Sequence, residues 1–398
     1  MSAGVLYISY SGMLEPLGQS QVLAYQECLV ADHPVHIVSF ERPEDWVRVA
    51  EREDISKRMA DAGIRWHPLH YHKRFSVLAT LWDIAAGTWV GWRLVRRNGL
   101  TIVHARSYIP SVMALAIKRL AGVKYVFDMR GFWADERVDG GLWPRGGRLY
   151  RVAKWFERRF LAGADHVVSL TDAAVREMAQ FPYLAGSMPP VTVIPTCADL
   201  ERFKPLPVAK GDGLVLGYVG SAGTWYLFGV VVAAFCRLRQ LRPDSCLLVI
   251  NRGGHEYIRE RLAAGGVPDE AFELRAATHS EVPAQMARMH AGIFLIKPVF
   301  SKQASAPTKL GEFLGCGIPC LSNAGVGDMA AILEGDGVGV AVQDFDAASL
   351  DTGLQRLLAL IADPGVRERC VASAQRHFSL EEGVRRYQSV YDSLGAAR

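Results

Sequence analysis

The chain has 398 residues, of which 50% are hydrophobic and 22% charged. At roughly 150 residues per domain this leaves room for two domains with sizeable cores, and the composition excludes intrinsic disorder. Lys plus Arg exceed Asp plus Glu by 45 to 41, a formal net charge of +4. That excludes a nucleic-acid binder working through bulk charge, so any basic partner surface must be local.

The opening, MSAGVLYISYSG, is apolar but lacks the basic region and cleavage pattern of a signal peptide. GVLYIS (4–9) therefore reads as a first strand, followed by a helical pattern over 18–31. VHIVSF (35–40), IRWHPL (64–69), TIVHA (101–105), KYVFD (124–128) and DHVVSL (165–170) are further short β-rich runs, with helical patterns between most of them. Such β/α alternation predicts a parallel, doubly wound sheet with helices on both faces. VTVIPTCADLERFKPLPVAKGDG (191–213), with three prolines, reads as a connector.

The theme then restarts with LVLGYV (214–219), CLLVI (246–250), FEL (272–274), GIFLI (292–296), PCLSN (319–323) and GVGVAV (337–342). Residues 213–236 carry no charge over 24 positions, long enough for a membrane span, but GSAGT (220–224) at the centre is a turn signal. The stretch reads better as strand, glycine loop and buried helix. Two similarly built α/β domains follow, 1–205 and 206–378, with the boundary near 200–212. Ligands of open α/β sheets bind beyond the carboxyl ends of the strands, so two such domains are expected to face each other across a ligand cleft. The seven cysteines include no C-x-x-C pair and read as reduced thiols rather than as a disulfide or zinc framework.

FSKQASAPTKLGEFLGCGIPCLSN (300–323) is the richest segment. Pro307 suits a first helical turn, and Gly317 a helix stop before the next strand. The free amides of that turn and the positive dipole end make an anion site, including the amide of Leu310. Lys309 adds a cation; Lys297 and Lys302 lie in the loop leading in, and Ser305 and Thr308 supply hydroxyls. Glu312 shares a face with Thr308, where a carboxylate can accept from two ribose hydroxyls. The plainer reading is a capped helix with solvated charges. The loop Gly220-Ser221-Ala222-Gly223 follows a strand and opens a helix, as a phosphate cradle does, or is a turn required by packing. In the first domain Gly18, with Gln19 and Ser20, could approach a phosphate or sugar; otherwise this is a surface loop.

On the opening loop, the linker VIPTCADLERFKP and the block PTKLGEFLGCGIPCLSNAGVGD, the chain resembles the GT-B glycosyltransferases, and within them glycosyltransferase family 4. The resemblance implies two Rossmann-like domains. It implies a nucleoside-diphosphate sugar donor, such as a UDP- or GDP-sugar, held mainly by the C-terminal domain, and an acceptor held by the N-terminal one. No cofactor and no metal are expected, because helix dipoles and basic side chains offset the diphosphate charge. The tail HFSLEEGVRRYQSVYDSL resembles the family's last helix, so 379–398 is expected to pack back on the first domain. The family pairs two glutamates eight positions apart; the second matches Glu312, but the first position is Ala304. This departure puts donor identity and stereochemistry in doubt.

Where many relatives carry an active-site His after a strand, this chain has Asp128, followed by Arg130. Asp128 could take an acceptor proton or orient a donor hydroxyl; alternatively it is a structural Asp paired with Arg130. Asp135, Glu136 and Asp139 follow in an expected loop. His104 and Arg106 end the preceding strand; His70 and His72, in LHYHKR, read as a surface turn. The catalytic candidates are thus Asp128, Arg130, Lys302 and Lys309.

RGGRLYRVAKWFERRFLAG, from Arg145, carries six basic residues against Glu157 alone. Leu149, Val152, Ala153, Phe156 and Phe160 form a stripe that is core-facing in the plain reading, while Trp155, Tyr150 and the basic flank suit an anionic membrane surface. Trp82, Trp89 and Trp92 allow the same two readings. The function implied is transfer of a sugar to a hydroxyl of a glycan or lipid-linked acceptor, in bacterial-type glycan or glycolipid assembly. The setting expected is cytoplasmic, at the inner face of the membrane. The family implies retention of anomeric configuration, whereas Asp128 as a true base would suit inversion. A sugar-nucleotide epimerase and a non-catalytic nucleotide-sugar-binding partner subunit are the alternatives.

Overall fold

The computed structural model describes residues 3–72, 76–207, 211, 213–278 and 280–396. Part of the connector (208–210 and 212), part of the LHYHKR turn (73–74) and the last two residues of the tail lie outside the described residues. The chain packs as two compact units, Met1–Pro195 with Gly383–Arg398, and Thr196–Glu382.

Among the described residues the first unit holds a seven-stranded sheet: β1 Val5–Ser9, β2 Val35–Glu41, β3 Arg65–His70, β4 Ile102–Arg106, β5 Lys124–Asp128, β6 His166–Ser169 and β7 Val191–Val193. The order is β3-β2-β1-β4-β5-β6-β7 and every pair is parallel. β1, β2 and β4 are buried along their whole length, because helices cover both faces, and this is why they read as continuous apolar runs. β7 lies inside the stretch read as connector; three residues with a following proline give too short a pattern to read as a strand.

The second unit repeats the plan with β8 Val215–Val219, β9 Cys246–Ile250, β10 Phe272–Arg275, β11 Ala291–Ile293, β12 Cys320–Asn323 and β13 Gly339–Val342, in the order β10-β9-β8-β11-β12-β13. The uncharged stretch resolves into β8, a loop and the helix Phe228–Leu241, which buries Phe228, Val231, Phe235 and Leu238. Among the described residues no helix is long and apolar enough to cross a membrane. In each unit the strand order reverses beside the first strand, between β1 and β4 and between β8 and β11. That crevice, at the carboxyl ends, is where a doubly wound sheet binds ligands.

Two local expectations are corrected. Asp135, Glu136 and Asp139 lie on a helix, Trp133–Asp139, rather than in a loop. The helix Arg148–Gly163 buries Ala153, Glu157, Phe160 and Leu161, while Leu149 and Val152 of the expected core stripe are 57% and 54% exposed. The inward face is fixed by buried polar bonds as well as by apolarity: Glu157 is fully buried, paired with Lys154 and the Tyr108 hydroxyl. The last helix, Leu380–Ala396, lays Tyr387 and Tyr391 against the first unit's sheet.

Candidate functional site

β8 ends at Val219 and the chain turns at Gly220, whose φ of +99° favours glycine. Gly220 donates to the Ile250 carbonyl at 2.8 Å, and the Asn251 side chain donates to the Gly220 carbonyl at 2.7 Å. The loop then runs beside the segment after β11. Leu227 donates to Leu295, Lys297 donates to Trp225, and Tyr226 pairs with Ile296 in an antiparallel bridge. Asn323, at the end of β12, clamps Ile296 through both its amide and its carbonyl.

The helix Thr308–Gly315 starts directly beyond this crevice, with Pro307 at its cap. Leu310, Phe313 and Leu314 bury its inner face, and a side chain at Gly311 would stand 2.9 Å from Phe378, so the helix is seated closely. Its first turn carries Lys309 back over the glycine loop. A Cβ on Gly220 would lie 2.8 Å from Lys309 Cε. Lys309 Nζ sits 3.4 Å from the Tyr226 ring centroid and 5.0 Å from that of Tyr218, is buried, and has no hydrogen-bond partner.

Burial lowers the Lys309 ammonium to about 7, with Glu312 pulling the other way. Burial raises the Glu312 carboxyl to about 7, opposed by Lys309. The two groups thus share a poorly solvated site that disfavours the charge on each, a condition that an incoming polyanion would change. Lys302, 7% exposed, stacks its Nζ 3.8 Å from the Trp225 ring.

Of the residues expected here, the fold brings Gly220, Lys302, Lys309 and Glu312 to one crevice. Leu310 turns its side chain into the core, and its amide donates to the Pro307 carbonyl at 3.1 Å, so it is not one of the free first-turn donors. Ser305 and Thr308 are half-buried at the helix start, and Lys297 and Ser221 are exposed at its rim. A Cβ on Gly223 would meet nothing within 4 Å, so packing does not explain this glycine. The aromatic walls, Tyr218, Trp225 and Tyr226, escaped the sequence reading; the Trp-Tyr pair directly after the glycine loop was the available signal.

Gly18 lies in the other unit. A side chain there would collide with the Gly12 backbone, so close packing accounts for it. In the same loop the amides of Met13 and Leu14 donate to the buried Glu41 carboxylate at 2.9 and 3.2 Å. The Gln19 amide and Ser20 hydroxyl donate to Leu14 and Pro16 carbonyls. These donors are engaged inside the unit.

Asp128 ends β5 and is 1% exposed. The Tyr387 hydroxyl donates to its Oδ2 at 3.3 Å; His104 Nε2 lies 3.7 Å from Oδ2 and an Arg130 nitrogen 3.8 Å from Oδ1. Burial alone would raise its carboxyl, but Arg130 and His104 outweigh it and hold it below the ordinary range. Burial lowers the His104 imidazole, whose Nδ1 is 2.7 Å from the Tyr391 hydroxyl. Arg130 adopts a φ of +58° to reach this cluster. Asp128 packs against Tyr387, His104 and Arg130, the geometry of the alternative in which it is a structural Asp paired with Arg130. The tyrosines come from the last helix, far along the chain, and sequence carried no signal of them. His72 Nδ1 pairs with the buried Asp83 at 2.6 Å, and Asp135 is bonded to Tyr150 and Lys154. Among the described residues no group of three or more His, Cys, Asp or Glu could hold a metal ion.

Residues 18–197 match the family model described as "Glycosyl transferase 4-like domain". No curated protein matches the chain by sequence. Among solved structures, a glycosyltransferase from Rickettsia africae matches with a TM-score of 0.74 at 12% identity, covering 100% of both chains. A sucrose-phosphate synthase from Thermosynechococcus elongatus matches at 0.73 and 15% identity, again covering 100% of both. HepE from Anabaena, in complex with UDP and glucose, matches at 0.66 and 13% identity over 98% of this chain and 100% of its own. At such identities the likeness concerns the fold.

Proposed function

We propose, for a chain that has the GT-B fold and carries a glycosyl transferase 4-like domain at residues 18–197, that it transfers a hexosyl group from a nucleoside-diphosphate sugar to a hydroxyl acceptor. The observation that carries this reading is Lys309: a buried ammonium without a hydrogen-bond partner, at a helix start, in the crevice where the strand order reverses. A diphosphate there would accept from Lys309 and the first-turn amides, and Glu312, one turn in, would accept from ribose hydroxyls. The donor pairing of UDP with HepE supports testing uridine nucleotides first.

In this reading the bond between the anomeric carbon and the diphosphate breaks, one forms to the acceptor oxygen, and the acceptor's hydroxyl proton passes to the leaving diphosphate oxygen. Negative charge develops on the leaving diphosphate oxygen. Lys302, Lys309 and the amides of Thr308 and Lys309 are fixed before the reaction, so they stabilise that charge without reorganising. They are proposed to do so without a metal. Retention of configuration is proposed with the family. Ala304, 2% exposed, offers no carboxylate to the sugar. Asp128 and Arg130 are proposed as positioning residues on the acceptor side. The acceptor is proposed to be a glycan or lipid-linked, met at the cytoplasmic face of an anionic membrane.

The test is a thermal-shift panel of nucleotide sugars, with and without chelator, followed by product analysis. A preferred ligand raises stability by mass action. An epimerised donor without acceptor would identify an epimerase. Binding without turnover on any cell-derived acceptor would identify a partner subunit.

A further inference from the structure

The helices Ser76–Asn98 and Arg148–Gly163 both pack on the helix between them, Tyr108–Ala121, along one face of the first unit's sheet. The Ser76–Asn98 helix turns Ala79, Asp83, Gly87, Gly91 and Val95 inward, at four-residue spacing. Gly87 and Gly91 are required there, since a Cβ would meet Met113 at 2.6 Å and Ile117 at 2.7 Å. The opposite side therefore faces solvent, and it is apolar: Leu78, Trp82 and Trp89 are 69%, 66% and 57% exposed. On the Arg148–Gly163 helix, Val152 and Trp155 are 54% and 49% exposed.

The charges among these side chains have one sign. Asp83 and Glu157, the acidic residues of the three helices, are buried at 1% and 0%. Arg93, Arg96, Arg148 and Arg159 are exposed. Arg93 lies over Trp89 at 5.3 Å and Arg159 over Trp155 at 3.4 Å. Exposed tryptophans backed by stacked arginines, with no exposed acid among them, complement one partner: a layer with an anionic surface above an apolar interior. An acidic protein would satisfy the arginines but would not require so many bare indoles.

We infer that this three-helix face is a membrane-docking surface, which seats the first unit on an anionic bilayer with Trp82, Trp89 and Trp155 at headgroup depth. The inference rests on the proposed transfer to a lipid-linked acceptor and locates the surface at which such an acceptor would be met.

The experiment is co-sedimentation of the full chain with vesicles of phosphatidylglycerol and phosphatidylcholine, and with phosphatidylcholine alone, at low and high salt. The thermal shift with UDP is read on the same preparations. Wild type should sediment with the anionic vesicles, release as salt rises, and show a blue-shifted tryptophan emission when bound. Arg96→Glu/Arg148→Glu should bind at least roughly thirtyfold more weakly, at about 1 kcal/mol for each basic residue near the surface, and Trp82→Ser/Trp89→Ser roughly tenfold more weakly through the lost apolar burial. Both variants should keep the wild-type response to UDP, so that failure of vesicle binding and failure of the nucleotide reading are told apart. The inference is overturned if wild type stays in the supernatant at low salt, if either variant sediments like wild type, or if neutral vesicles bind equally. It is also overturned if the face proves to be an interface between two copies, seen as a concentration-dependent dimer that Trp82→Ser/Trp89→Ser dissolves.

Discussion

The ammonium nitrogen of Lys309 stands 3.4 Å from the centre of the Tyr226 ring. An aromatic face attracts a cation but leaves its N–H groups without acceptors, so Lys309 is desolvated and held in place while its hydrogen-bonding capacity stays unspent. Tyr226 is itself fixed by its bridge to Ile296. The pair holds an unspent cationic donor in the crevice, as the proposed diphosphate site requires.

Lys309→Met keeps the packing against Tyr226 and removes the charge. Affinity for UDP should fall by roughly 1.5–3 kcal/mol, the worth of a charged hydrogen bond. Thermal stability without ligand should hold or rise, because the variant buries no ammonium. Calorimetric titration and a melting curve on the same protein check both.

Glu312→Ala should separate the nucleoside from the diphosphate. UDP affinity is expected to drop by about 1–3 kcal/mol, while inorganic pyrophosphate loses much less. Equal losses for the two ligands would place Glu312 on Lys309 rather than on the ribose.

The same two side chains shape the pH dependence. Unfolded, Glu and Lys titrate near about 4.3 and 10.4; folded, burial brings both to about 7. From the acid side up to neutrality the folded state holds the extra proton, on Glu312, so stability falls as pH rises. From neutrality upward the unfolded state holds the extra proton, on the lysine, so stability rises again. Urea midpoints should pass through a minimum near neutrality from this pair. Glu312→Gln should remove the acid-side fall and Lys309→Met the alkaline rise. Bound diphosphate raises the lysine's proton affinity, so UDP should bind with proton uptake above neutrality and weaken as pH climbs.

Gly220 and Gly223 occupy one loop but meet different surroundings. Gly220→Ala puts a Cβ against Lys309 Cε in a backbone region that disfavours side chains. It should cost about 1–2 kcal/mol of stability and displace the ammonium, lowering UDP affinity. Gly223→Ala should leave unliganded stability within about 0.5 kcal/mol, since open space receives the methyl group. Denaturation curves with and without UDP report on both.

Asp128→Asn should destabilise the first unit by roughly 3–5 kcal/mol, because it removes the carboxylate charge that faces the largely buried Arg130. Activity per folded molecule should then fall by less than the 10² to 10⁴, approximately, expected for loss of a general base. Unchanged stability with a loss of that size would restore the general-base role.

Periodicity made most of the strands legible, because a buried parallel strand must be apolar along its length whatever surrounds it. It missed β7, whose three residues are too few to show a pattern. The Pro307–Glu312 block was legible for a related reason: a helix start and its one-turn neighbours are local geometry. What lies opposite was not. The rings of Tyr218 and Tyr226 meet Lys309 only because β8 and β11 are neighbours, and the hydroxyls of Tyr387 and Tyr391 meet Asp128 and His104 only because the chain's last helix lies on the first sheet.

The amino-acid sequence by itself determined the doubly wound class, the twofold repetition of the plan and the helix that begins at Pro307, since each depends on contacts a few residues apart. The tertiary structure alone decided which charges are buried, which indoles are bare and whether Asp128 is open or enclosed. Burial is set by whatever packs across the sheet, and those partners are tens to hundreds of residues away: a helical stripe such as Leu149–Val152–Phe160 looks the same in sequence whether it meets the core or the solvent.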